Sequence, residues 1–188
     1  MRQLDAAERR TLLALARASV EARVRGAAGP AATAHTQRLA EPGAAFVSIH
    51  RGGELCGCLG CFTPREQGLA QVVIDMAAAA ASEDPRFGPL TATDLESVEI
   101  EVSVLGPLVH IAGPDDLVIG RDGVLVDQHG RRGLLLPQVA VRLGWSAEQF
   151  LTEACRKAGL PPGAWREGAR VHRFEADIFA ERPARGDA

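Results

Sequence analysis

Three of the four cysteines lie within six positions, in the stretch ELCGCLGC at residues 54–61. Cysteine thiolates do two kinds of chemistry in proteins, because they bind metal ions and they attack electrophilic centres as nucleophiles. Cys58 and Cys61 have the spacing of a zinc knuckle, and Cys56 lies two residues before Cys58. A structural zinc site usually takes its ligands as two such pairs, whereas Cys155 and the five histidines are scattered singly. Ligand count therefore makes metal or an iron–sulfur cluster the weaker interpretation, and the sequence predicts no metal ligand.

A nucleophilic thiol requires a nearby base and access to substrate. Cys58 lies between Gly57 and Gly60 on a predicted strand, and both glycines allow another group to approach the backbone closely. We therefore treat Cys58 as the candidate nucleophile and the two glycines as candidate binding positions. His50 is the nearest base in the sequence. The competing interpretation is that Cys58 is a small hydrophobic residue of a strand.

The register of the predicted hairpin decides whether His50 can assist Cys58. A two-residue turn at positions 52–53 places His50 on the opposite face of the hairpin from Cys58. A loop that is one residue longer pairs Ser48 with Cys58 and places His50 on the same face as Cys58. A one-residue slip exchanges the two faces of a strand, so the sequence leaves both registers open.

Charged residues offer further candidates on neighbouring elements. Glu99 and Glu101 share one face of a predicted strand, about 7 Å apart, and either is a candidate general base. Exposed carboxylates on a half-buried strand are the simpler explanation for both. In the stretch DPRF, the spacing favours a structural salt bridge between Asp84 and Arg86, with anion binding by Arg86 as the alternative.

The elements that must position these residues follow from hydrophobic periodicity. Strands and helices are mixed without regular βαβ alternation, which predicts an α+β fold with a mostly antiparallel sheet flanked by helices. Residues 33–43 have no clear pattern and are predicted to be irregular. Helices are predicted at 5–24, 65–84, 137–144 and 145–160, long strands at 44–50, 55–61, 93–107 and 170–181, and short strands or hairpin arms at 108–113, 115–120 and 124–136.

Composition limits the class of protein. The chain has 188 residues, of which 46% are hydrophobic. This predicts a single domain for residues 1–188, with its folded part at about 5–182. The net charge of −3 and the absence of tyrosine argue against a nucleic-acid surface, although a local basic patch remains possible. Charges interleave through the first helix, so we expect neither a signal peptide nor a membrane association, and the cytoplasm is the expected location.

Six ordered motifs make the chain similar to a known family. They are FVSIHRGGELCGCLG, DPRFGPLT, IEVSVLGP, GRDGVLV, GLLLPQVAVRLGW and RKAGLPPGAW. With them the sequence resembles the AMMECR domain family from the first helix to FEADIFAE. The resemblance implies an α+β fold in which a larger and a smaller subdomain pack together.

The resemblance also implies partners. Members of this family include protein A of the AmmeMemoRadiSam system, which implies association with a Memo-like protein and a radical S-adenosylmethionine enzyme. The expected function is a thiol-dependent enzyme, or a component of one, that acts through Cys58 without a cofactor. Glu101, in the matched EVSVL, is the first candidate for its acidic partner. The alternative is a non-catalytic binding or adaptor module for a protein or RNA partner.

One position departs from the family pattern. The family signature Leu-Arg-Gly-Cys-Ile-Gly matches residues 55–60, so its cysteine corresponds to Cys58. Cys56 stands where the family has arginine, which makes the three-cysteine cluster peculiar to this chain. Any anion-binding role of that arginine would then fall to Arg51, Arg65 or Arg86.

Overall fold

A computed structural model of the chain describes residues 4–32 and 36–181. The described residues form two compact units. The larger unit comprises residues up to 105 together with 177–181, and the smaller unit comprises residues 106–176. In chain order the elements are α1 (Ala6–Arg25), α2 (Gln37–Ala40), β1 (Ala45–Arg51), β2 (Glu54–Gly60), α3 (Leu69–Ser82), β3 (Val98–Leu105), β4 (Val109–His110), β5 (Asp122–Gln128), β6 (Arg131–Leu135), α4 (Pro137–Leu143), α5 (Ala147–Lys157) and β7 (Arg170–Ala180).

The sheet of the larger unit follows the order β2-β1-β3 and continues with the end of β7. Both β1–β2 and β1–β3 are antiparallel. Val47 and Ile49 of β1 are fully buried, and their partners on β3, Val102 and Ile100, are buried too. The alternation of strand residues therefore directs one face of this sheet into the core. That face packs against α3 and α1.

Local signals explain where the helices of the larger unit begin and end. Asp5 accepts hydrogen bonds from the first turn of α1, and Glu8 returns a bond to the Asp5 backbone in a capping box. Gly26 ends α1 in the left-handed conformation. The expectation of an irregular segment at 33–43 was wrong in part, because Thr36 caps the short helix α2 with its hydroxyl. Residues 33–35 of that segment lie outside the described residues.

The smaller unit has the antiparallel pairs β5–β6, β5–β7 and β4–β7. Its core contains Val124, Val126, Phe150 and Leu151. Ser146 and Gln149 form the capping box that the sequence predicted for α5. The predicted short strand at 115–120 was wrong, since a 3₁₀ turn at Pro114–Asp116 and a loop occupy these positions.

Glycine permits close contact between helix and sheet in both units. A Cβ atom added to Gly57 of β2 would lie 2.2 Å from the backbone oxygen of Ala80 in α3. A Cβ atom added to Gly133 of β6 would lie 2.2 Å from the backbone oxygen of Ala154 in α5. Only glycine allows the helix backbones to come this near to the strands.

The predicted fold class is confirmed, because helices accompany sheets whose described pairings are antiparallel. The two units agree with a larger and a smaller subdomain. The assignment of both units to a single domain stays a prediction. Among the described residues, none of the helices is both long and apolar enough to cross a membrane.

Candidate functional site

The β1–β2 hairpin combines features of both registers that the sequence left open. Gly52 and Gly53, at φ 58° and 83°, form the two-residue turn, and His50 pairs with Leu55. The register then shifts, so that Ser48 pairs with Cys58. Residue 56 is the extra residue of this β-bulge. The bulge therefore places His50, Ser48 and Cys58 on one face of the hairpin.

A row of polar side chains crosses this face of the larger unit's sheet. Ser48 stands between Cys58 on β2 and Glu101 on β3, since it is the register partner of both. The Ser48 hydroxyl donates a hydrogen bond to the Cys58 sulfur at 3.3 Å. Ser48 is buried, whereas Cys58 and Glu101 are half-buried. His50 lies one row further along, opposite Glu99.

The backbone of Cys58 is held from the outer edge of β2 by the loop that follows α3. Its N–H donates to the Asp84 carboxylate at 2.9 Å, and Arg86 Nη2 donates to its carbonyl oxygen at 3.3 Å. Because these groups point away from β1, Ser48 and Cys58 form a non-hydrogen-bonded pair, in which facing side chains come closest. The loop thus closes an exposed strand edge at the position of the thiol.

Asp84 and Arg86 form the salt bridge that the sequence favoured. Arg86 Nε and Nη2 bond the two Asp84 carboxylate oxygens at 2.9 and 2.7 Å. The Asp84 side chain is 2% exposed and that of Arg86 is 53% exposed. The hydrogen bond from Arg86 is the main cause that lowers the pKa of Asp84 from 3.8 to about 2, against the opposing effect of burial. The hydrogen bond with Asp84 is the main cause that raises the pKa of Arg86, and the Cys58 side chain adds to this rise.

The lowered pKa of Asp84 predicts a loss of stability in acid. The folded value lies below the unfolded one, so the ionised carboxylate stabilises the protein above pH 4, and this contribution disappears between pH 4 and about 2. One pKa unit corresponds to about 1.4 kcal/mol. We expect a contribution of about 1–2 kcal/mol, because the partner Arg86 is half exposed and screened by solvent.

Urea unfolding of the wild type and of Asp84→Asn, at pH 7 and at pH 2.5, measures this contribution. The free-energy difference between the two proteins should shrink at the lower pH. Asp75→Asn, which changes a carboxylate on α3, is the control and should show a smaller change. A difference between wild type and Asp84→Asn that stays constant with pH would contradict the assignment.

Gly57 and Gly60 lie beside protein rather than open space. The backbone of α3 covers Gly57, and a Cβ atom on Gly60 would lie 2.3 Å from the Phe46 ring. The close approach that the sequence predicted at these glycines is thus made by the chain itself. Both glycines allow the strand that carries Cys58 to pack closely, and a binding role for either one stays a prediction.

A cleft of about 350 Å³ lies beside the hairpin, and Cys56 lines it. Arg51 and Asp94 form an ion pair at its wall, and the segment 87–90 completes it. Cys58 is not among the residues that line this cleft. Cys56 therefore places a thiol in the cleft, and Arg51 supplies a cation at the cleft wall.

The structure places Cys58 and Glu101 on either side of Ser48, a residue that the sequence did not single out as a site residue. Ser48 lies between the buried Val47 and Ile49 of β1. Strand alternation in FVSIH directs its side chain to the face opposite theirs, and this signal could have identified it. Arg65 lies elsewhere, where its backbone bridges to Gly43. Among the described residues, no three His, Cys, Asp or Glu side chains group as a metal site.

A family model, two relatives and a solved structure each match most of this chain. A family model described as AMMECR1 matches residues 13–179. A protein from Thermofilum pendens is 42% identical, over 100% of this chain and 96% of its own length. One from Methanothermobacter thermautotrophicus is 39% identical, over 93% and 94%. The crystal structure of an uncharacterised protein from Pyrococcus horikoshii matches with a TM-score of 0.87 at 37% identity, covering 94% of this chain and 92% of that one.

Proposed function

The chain belongs to the AMMECR1 family, and on this fold we propose that Cys58 is the reactive thiol of an enzyme, or of an enzyme component. The observation that carries the proposal is the hydrogen bond from the Ser48 hydroxyl to the half-buried sulfur of Cys58, a residue whose carbonyl oxygen accepts from the Arg86 guanidinium. A hydrogen-bond donor and a cation both stabilise a thiolate relative to a thiol. A cysteine that served only as a strand hydrophobe would need neither.

The proposed chemistry is attack by the Cys58 sulfur on an electrophilic centre of the substrate. The Cys58 S–H bond breaks and its proton passes through solvent to Glu101, while the Ser48 hydroxyl stabilises the thiolate by donating to the sulfur. The thiolate then adds to the carbon of a polarised C=O group of the substrate, whose π electrons move to its oxygen. Glu101 faces Ser48 across β1 and β3, which supports its role as the final acceptor. His50, one row away on the same face, is the second candidate for this role. Arg86 stabilises the negative charge on sulfur before attack.

Alkylation of the native protein tests the proposal. We expect iodoacetamide, followed by peptide mass mapping, to modify Cys58 before the buried Cys61 and Cys155. A Cys56→Ser background removes the neighbouring thiol. Ser48→Ala should slow the modification of Cys58 about fivefold, since a hydrogen bond to a charged or developing charged group is worth about 1 kcal/mol or more.

Glu101→Gln tests the proton acceptor, with Glu96→Gln as the matched control. The first variant should slow alkylation at neutral pH, whereas the second, at an exposed position near the start of β3, should not change it. If Cys58 reacts only after the protein unfolds, the thiol is not catalytic. The chain would then be a binding or adaptor module, in which Cys58 is a small spacer.

The partners belong to the same proposal. We propose that the thiol acts within a complex containing a Memo-like protein and a radical S-adenosylmethionine enzyme, as the family resemblance implies. Co-purification of the three proteins tests this, and Cys58→Ser should leave binding intact while it abolishes thiol reactivity. Failure of the three proteins to associate would remove the partners and leave the reactivity of Cys58 to be judged by alkylation.

A further inference from the structure

Two histidines of the smaller unit face each other across neighbouring strands. His110 of β4 is the direct register partner of His172 of β7. Their ring centres are 5.6 Å apart, and the rings are nearly perpendicular. Directly opposite residues of an antiparallel pair point to the same side of the sheet, so both imidazoles share one face.

One imidazole nitrogen of this pair lacks a hydrogen-bond partner among the described residues. The Nδ1 atom of His172 is buried and has no hydrogen-bond partner in the described part of the chain. Leaving a buried polar atom unpaired costs about 1–3 kcal/mol. The Asp127 carboxylate does not bond this atom: its Oδ2 pairs with Arg132 at 2.8 Å, and its Oδ1 is itself buried without a partner in the described part of the chain. The face therefore holds an imidazole nitrogen with an unused lone pair or proton, next to a second imidazole.

We propose that His110 and His172 together bind a divalent transition-metal ion. Metal–imidazole nitrogen bonds are about 2.0–2.1 Å long, so two imidazoles on one ion hold their ring centres about 5–6 Å apart, as they are here. His110 is exposed, which leaves the remaining coordination positions to water. The metal satisfies the buried nitrogen. Both histidines belong to the smaller unit, whereas Cys58 belongs to the larger one.

The donor set determines the choice of metal. With two imidazole ligands and no third protein ligand, the site binds an exchangeable ion rather than a closed structural one. Imidazole suits Ni²⁺, Cu²⁺ and Zn²⁺, whereas thiolates favour Zn²⁺ and Cu⁺. Ni²⁺ is the probe, because binding by the cysteines of the hairpin instead would show as a sulfur-to-nickel charge-transfer band.

Calorimetric titration of the full, untagged chain with Ni²⁺ tests the site. His110→Ala is the primary variant because its side chain is exposed, and it should weaken binding at least about tenfold, since the second imidazole binds as part of the same chelate. His129→Asn is the matched control, because His129 lies in a turn at φ 51°, which asparagine tolerates. It should bind Ni²⁺ as the wild type does.

A second measurement needs no variant. Ni²⁺ in octahedral coordination is paramagnetic, so the imidazole NMR signals of His110 and His172 should broaden first, ahead of those of His50 and His129. Three results would each overturn the proposal: equal Ni²⁺ affinity in the wild type and His110→Ala, earlier broadening at other histidines, or a sulfur-to-nickel charge-transfer band. The two histidines would then be an aromatic pair that serves packing only.

Discussion

A Gly57→Ala variant is expected to lose about 3 kcal/mol of its free energy of unfolding, although the change adds a single methyl group. The new Cβ atom would lie 2.2 Å from the Ala80 oxygen, and a helix backbone cannot move aside as a flexible side chain can. Overpacking of a core costs about 1–3 kcal/mol, and a contact with backbone belongs at the upper end of that range. Urea unfolding followed by circular dichroism measures the loss.

Gly29→Ala is the control for this variant, because nothing lies within 4 Å of the added atom. It should leave the free energy of unfolding unchanged or raise it slightly. Gly133→Ala makes the equivalent clash in the smaller unit and should destabilise the protein to a similar extent. If the chain is one domain, both variants lower the midpoint of the same transition, whereas two separate transitions would contradict the single-domain prediction.

An Arg86→Ala variant is expected to lose about 2 kcal/mol, because it leaves the buried Asp84 carboxylate without its main partner. Removal of one member of a buried pair costs more than the pair contributes, since the remaining charge has been taken out of water. Half of the Arg86 side chain is exposed and two backbone N–H groups still bond Asp84, so the loss stays below that of a fully buried pair. The pKa of Asp84 should also return toward its usual value.

Arg86→Lys separates charge from geometry at this position. Lysine supplies the charge but lacks the planar fork that bonds both carboxylate oxygens, so most of the loss should remain. Arg65→Ala, at an exposed arginine, is the matched control and should be neutral. Full recovery by lysine, or an Arg86→Ala variant as stable as the wild type, would show that the closure of the β2 edge does not depend on the bidentate pair.

Much of the fold was readable from the sequence because its determinants are local. The capping box at Ser146 and Gln149 involves residues three positions apart, and the alternation of valine and isoleucine in β3 marks its buried face. The six motifs gave the family before any coordinates. The short helix α2 was missed because four residues are too few to show a helical period.

The sequence by itself determined which chemistry is available: a cysteine between glycines, and an Asp84–Arg86 pair two residues apart. Only the tertiary structure decided how these residues meet. The bulge at Cys56 sets which side chains share a face, and it arises from strand pairing rather than from any single residue. Asp84 reaches Cys58 because α3 returns the chain to the edge of β2, a contact across 26 positions. Such contacts depend on how elements pack, which local preferences of the chain do not encode.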